Sequence, residues 1–165
     1  MRKLGIFILS GFGSGYLPIA HGTWGSAVIA AAFLAIIFGV NGDPVWIASA
    51  MGGIVVLSSV ACIALGPLGE VEFGGKDPGQ CVIDEWAGQA LTFMLLPFGS
   101  GAGQWLIIGI AGFLGFRFFD ILKPPPVRNV EALPRGWGVL ADDLIAALYG
   151  NLTLQIIFRL ILQWQ

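Results

Sequence analysis

Two adjacent acidic pairs, Asp84-Glu85 and Asp142-Asp143, and a single Asp120 stand at the edges of apolar segments in a chain with few charges to place. The sequence is 56% hydrophobic and 11% charged, and an ionisable group at lipid depth is costly enough to mark a functional site. Carboxylates gathered on one membrane face repel one another unless a cation sits between them, so the pattern points to a metal site. Oxygen donors alone suit a hard cation such as Mg2+. Adjacent acids also suit helix amino termini, where the macrodipole favours negative charge, and spacing alone leaves both readings open.

Arg117, Asp120 and Lys123 recur at steps of three. They read either as an intrahelical ion pair that eases Arg117 into the membrane or as a phosphate clamp beside a metal-binding aspartate. Three prolines then stiffen the Lys123–Arg128 tract, and its basic ends serve equally as topology anchors or lipid-headgroup contacts. The glycine-rich pieces GFGSG at 11–15 and GTWGS at 22–26 are able to turn backbone N–H groups toward a phosphate, while Ser26 has the alternative of capping the next helix. His21, the only histidine, fits an interfacial hydrogen-bonded role better than a catalytic one. Asp77, before Pro78-Gly79, is a turn residue as readily as a ligand.

Absences narrow the chemistry. Leu68 and Ala87 stand six positions after Cys62 and Cys81, so no cysteine-phosphatase loop is present. There is no Asp-x-Asp-x-Thr/Val nucleophile motif, and one histidine excludes a two-histidine phosphatase. The two cysteines read as free thiols. Metal-assisted chemistry remains.

The elements that must position these groups are membrane helices. A mean hydropathy of +0.85, with 25 glycines and six tryptophans in 165 residues, describes an all-α polytopic bundle forming a single domain over 1–165. A net charge of −2 argues against a nucleic-acid partner. Apolar runs predict helices over about 26–41, 44–66, 83–98, 104–122 and 140–162, giving four to five spans, after an amphipathic or re-entrant opening segment at about 4–20. Nothing in the opening residues reads as a cleavage site, so they are taken as mature sequence.

Arg2, Lys3, Lys76, Arg117, Lys123, Arg128 and Arg135 fall on one side of these spans, which the positive-inside rule makes cytosolic. Arg159 alone disagrees and is placed to snorkel. All acids but Asp43 share the basic side. Glu85, Gln89 and Thr92 form a polar stripe at helical spacing, and Asp143, Ala147, Gly150 and Asn151 a small-and-polar one, so both are expected to face the bundle interior.

In this order, GSGYLPIAHGTWGS at 13–26, KDPGQCVIDEWAGQ at 76–89, FRFFDILKPPPVRNVE at 116–131 and GWGVLADDLIAALYG at 136–150 resemble the phosphatidylglycerophosphatase A family of bacterial membrane enzymes. His21 departs from a usual proline and Ala147 from a usual glycine. The resemblance implies acidic, metal-site positions at Asp77, Asp84, Glu85, Asp120, Asp142 and Asp143. Of these, Asp84, Glu85, Asp120 and Asp143 are expected to be catalytic. Substrate contacts are expected at Lys76, Arg117, Lys123 and Arg128. It further implies Mg2+ as cofactor, phosphatidylglycerol phosphate as substrate, and an active site facing the cytosol in the bacterial inner membrane. Other readings are a phosphatase for another phosphorylated lipid, a divalent-cation transporter and a scaffold for anionic headgroups.

Overall fold

A computed structural model of the chain describes residues 2–125 and 136–164. Arg128, Glu131 and Arg135 lie outside the described residues. The regular elements described are all helical: α1 Arg2–Leu9, a 3-10 turn Ser14–Tyr16, α2 His21–Gly39, α3 Pro44–Phe73, α4 Ile83–Thr92, α5 Ala102–Leu122 and α6 Trp137–Gln155, which continues through a π turn Ile156–Ile161. Four of them, α2, α3, α5 and extended α6, are long and apolar enough to cross a membrane. That is the lower end of the expected count.

Outer faces are apolar, as a lipid solvent requires. Val56, Leu57 and Val60 of α3 are 60–72% exposed. Inside, Phe33 of α2 stacks on Phe93 with ring centroids 4.0 Å apart. Small residues let α5 and α6 approach: a Cβ on Gly150 would lie 3.3 Å from the backbone of Gly115 and Phe116, the close packing that replaces hydrophobic driving force between helices in lipid. At the far end from the acids, Asp43 caps α3, accepting from Val45 N–H at 2.9 Å and Trp46 N–H at 3.3 Å.

The expected helix over 83–98 is cut short. α4 has ten residues, about 15 Å, half of a bilayer's hydrocarbon core. Hydropathy alone continues it through Phe93-Met94-Leu95-Leu96, but Leu95 adopts φ +57° and Pro97 follows. Carbonyls freed at a broken helix inside a membrane must be satisfied by protein. α6 does this from one face at fourfold spacing: Asn151 donates to Thr92 O and Met94 O at 2.9 and 2.7 Å, and Gln155 and Arg159 donate to Leu95 O at 2.7 and 2.9 Å. Arg159, the basic residue on the unexpected side, therefore closes the end of α4.

Two other boundaries shift. α3 passes through Pro67 to Phe73 instead of stopping at 66, because Leu65, Leu68 and Phe73 pack with Ile6 and Leu9 of α1. An Arg2–Glu72 ion pair fastens the same contact. α2 begins at His21, so Ser26 does not cap it; its hydroxyl donates to Gly22 O at 2.9 Å within the helix. The opening segment is a short helix and a 3-10 turn, too short to cross.

Candidate active site

The site is assembled at the end of the bundle where α2 and α6 begin and α3 and α5 finish. Loop residues 74–82 lead into α4, and Val82 N–H donates to Leu9 O at 2.9 Å, fixing the entry of that helix against α1. Gly11 and Gly15 belong to the same packing, since a side chain at either would collide with Val82, Trp86 or the Gln80 carbonyl. Ser14 Oγ donates to Gly11 O at 2.9 Å, so this loop uses its polar groups on itself.

Asp84 and Glu85 occupy the first turn of α4. Asp142 and Asp143 do not occupy the first turn of α6, which begins at Trp137. Macrodipole stabilisation fades beyond the first turn, so it does not account for the second pair. Asp84, Asp142 and Asp143 are each 4% exposed. One carboxylate oxygen from each of Asp84, Glu85 and Asp143 lies within 4.8 Å of the others.

The rest of the acidic set divides by partner. Asp120 Oδ2 lies 2.6 Å from Arg117 Nη1, an ion pair at i, i+3. Lys123, at the end of α5 with φ +45°, donates from Nζ to Asp142 Oδ2 at 2.6 Å. Lys76 and Asp77 are exposed on the loop and border a cleft of about 180 Å3 with Val139 and Asp142. A narrow cavity of about 20 Å3 joins Asp77 to Asp84, room for about one water. The structure thus brings Asp84, Glu85 and Asp143 together and sets Asp77, Asp120 and Asp142 around them.

Asp84 Oδ1, Glu85 Oε2 and Asp143 Oδ2 are buried with no hydrogen-bond partner among the described residues. Orphaned buried charges are strongly destabilising. A hard divalent cation held by one oxygen of each side chain would offset their charge, so the donor set fits such an ion. The polar stripe of α4 supports the cluster from below. Gln89 and Thr92 are fully buried; Gln89 Nε2 donates to Gly112 O at 3.2 Å and Thr92 Oγ1 to Gly88 O at 3.1 Å. Gly88 matters because a Cβ there would meet the Phe116 ring and the Asp143 carbonyl.

One contributor was hidden from the sequence. The first turn of α2 comes so close that a Cβ on Gly22 would overlap Glu85 Oε1 and lie 3.1 Å from Arg117 Nη1. GTWGS stands out for its glycines, but nothing in its spacing names Glu85 as the neighbour. His21 borders Gly79 in the same region, and its Nδ1 has no partner among the described residues.

Burial pushes the Asp84 carboxyl up from its ordinary 3.8 to about 6, against a lowering hydrogen bond from Glu85 and with a further rise from Asp77. Burial and the Asp84 charge hold Glu85 well above the usual carboxylate range. Burial, then Asp84 and Asp77, push the Cys81 thiol up to about 12, which leaves it protonated and unsuited to nucleophilic work. The sign of the carboxyl shifts gives a stability prediction. Asp84 keeps its proton in the fold to about pH 6 and releases it earlier when unfolded, so the fold binds more protons and loses stability as pH rises through that value. Metal-stripped protein is expected to unfold at lower temperature at pH 7.5 than at pH 5, and Mg2+ to restore more stability at pH 7.5. A flat thermal profile across that range in EDTA would contradict it.

A sequence profile described as phosphatidylglycerophosphatase A matches residues 7–158. The chain is 37% identical over 146 residues to phosphatidylglycerophosphatase A of Haemophilus influenzae, covering 84% of this chain and 79% of that one. It is 32% identical to the Escherichia coli protein of the same name, over 82% of this chain and 73% of the other. A putative phosphatidylinositol-3-phosphatase of Bacteroides thetaiotaomicron is 33% identical over 93% of this chain and 92% of its own length. No solved structure gives a significant match.

Proposed function

Because the chain belongs to the phosphatidylglycerophosphatase A family, we propose that it is a Mg2+-dependent lipid phosphatase hydrolysing phosphatidylglycerol phosphate to phosphatidylglycerol and phosphate at the cytosolic leaflet of the bacterial inner membrane. The observation that carries this reading is the convergence of three carboxylates, each with a buried oxygen that no described residue satisfies, beside Arg117 and Lys123 at one end of a membrane bundle. Asp84, Glu85 and Asp143 would hold the ion, with Asp120, Asp77 and Asp142 as surrounding acids. Bound there, Mg2+ supplies positive charge that polarises the phosphate and acidifies water.

The chain's own groups do the remainder. Asp120 and Asp142 each hold a cation, Arg117 and Lys123 respectively, so that both are oriented before substrate arrives. Together with Lys76 and Arg128 they neutralise phosphate oxygens as charge redistributes in a loose transition state. The acyl chains stay at bilayer depth while the headgroup enters the acidic end. Acids grouped at one end also disfavour a cation transporter, whose path needs them along the bundle.

The Bacteroides relative's name supports a second reading, a phosphatase for another phosphorylated lipid. Comparing kcat/KM for phosphatidylglycerol phosphate and phosphatidylinositol 3-phosphate separates the two. Orientation has its own test. In a background lacking Cys62 and Cys81, single cysteines at Gly42 and Ser100 are expected to react with an impermeant reagent added outside cells, and one at Gly75 to remain unlabelled. Labelling of Gly75 from outside would overturn the cytosolic site.

A further inference from the structure

A groove of about 460 Å3 runs between the middle turns of α2 and α5. Its walls are Ala27, Ala30 and Ala31 on α2, and Ile110, Phe113 and Leu114 on α5. Its far end is closed where Leu34 packs on Gly109; a Cβ on that glycine would lie 2.6 Å from Leu34 Cδ2. The near end is chemically different. Ile110, Phe113, Leu114 and Arg117 follow the 0, 3, 4, 7 spacing of one helix face, and Thr23, Ala27, Ala30 and Leu34 the 0, 4, 7, 11 spacing of another. Arg117 and Thr23 thus lie in line with the groove, about one turn beyond its lining residues, and Thr23 is one residue on from Gly22, whose Cα faces Glu85 and Arg117.

An apolar trough with a guanidinium in line one turn beyond it has the polarity of a phospholipid. The path from its closed end to Arg117 fits too. Arg117 to Gly109 spans eight residues, about 12 Å of rise, close to the roughly 15 Å of one hydrocarbon leaflet. We propose that this groove seats one acyl chain of the lipid substrate, entering from the leaflet on the site side, with the headgroup phosphate brought to Arg117. The proposal rests on the lipid-phosphatase reading and adds how the lipid is held. Lipid tails are as apolar as the groove walls, so transfer into it gains little hydrophobic energy. The groove acts by register: a seated chain fixes where the phosphate lies relative to the carboxylates, the kind of positioning that catalysis is sensitive to at the ångström scale.

The test compares dioleoyl and dihexanoyl phosphatidylglycerol phosphate in mixed micelles at fixed mole fraction. Wild-type protein is expected to favour the long chains in kcat/KM. Ala31→Phe, and independently Ala27→Leu, fill the groove and are expected to shrink that preference by about tenfold. Val56→Phe, on the lipid-facing side of α3, is expected to retain it. An undiminished preference in both groove variants, or no preference in wild type, would overturn the proposal. So would loss of a dimer on Ala31→Phe with the preference intact, which would make the groove a contact between copies. If wild type releases phosphate from neither lipid, the phosphatase reading itself falls and the groove assignment with it, an outcome distinct from loss of chain preference alone.

Discussion

Glu85→Gln and Asp143→Asn are each expected to lower kcat by about a hundredfold or more, the scale of losing a key electrostatic stabiliser, with membrane insertion intact. Both side chains sit in the carboxylate cluster, with oxygens that no described residue satisfies. Neutral near-isosteres keep the volume and remove only the charge. In metal-free protein that change relieves a buried unpaired charge, so the variants should unfold at or above the wild-type temperature at neutral pH. Asp84→Asn belongs with them, and Asp120→Asn, which frees Arg117 from its ion pair, is expected to lose activity on the same scale. Because the ligands act as a unit, double variants should be little worse than singles. Asp77→Asn, on the exposed loop, is expected to act more weakly. Arg128→Ala should raise KM and salt dependence more than it lowers kcat. Steady-state kinetics on detergent-solubilised protein, with thermal unfolding alongside, checks the set; near-normal kcat in Glu85→Gln and Asp143→Asn would remove the cluster from the chemistry.

Gly22→Ala is the second large effect, and its interest lies in the divergence of stability and activity. In a helix, alanine is favoured over glycine by about 1 kcal/mol, so on local grounds the substitution should stabilise α2. The new methyl, however, would overlap Glu85 Oε1 and press on Arg117 Nη1. Both are the ends of flexible side chains, and they are expected to swing aside at small cost to the fold. The price is then catalytic: a displaced Glu85 is expected to lower kcat by about ten- to a hundredfold, since ångström-scale misplacement is enough. Glu85→Asp, one methylene shorter, makes room for the methyl, so Gly22→Ala should cost less in that background than in wild type. Equal losses in both backgrounds would show that Gly22 acts elsewhere.

The carboxylates were legible from sequence because a membrane chain has so few charges that Asp84, Glu85, Asp120 and Asp143 stand out, and the inward stripes follow from helical spacing. Their division into a central trio and paired neighbours was not. Lys123 and Asp142 are nineteen positions apart, and only the crossing of α5 and α6 places them together. The spans α2, α3, α5 and α6 followed from hydropathy, whereas the break after Thr92 did not. Phe93 to Leu96 are more apolar than the helix before them. What lets the chain break there, ahead of Pro97, is a ladder of donors on another helix, Asn151, Gln155 and Arg159, visible in the sequence only as polar residues four apart with no stated target. Gly22 escaped for a related reason: a glycine's neighbour is a property of packing, and its own segment carries no trace of Glu85.

The most direct measurement is phosphate release from phosphatidylglycerol phosphate by purified protein stripped of metal with EDTA, followed by titration with Mg2+. A site made of buried carboxylates that needs a cation to be both stable and active should show no release in EDTA and recover fully on Mg2+ addition. The recovery midpoint should move to lower Mg2+ as pH rises through about 6, where Asp84 gives up its proton. Undiminished release in EDTA, with metal removal verified by elemental analysis, would contradict the metal site.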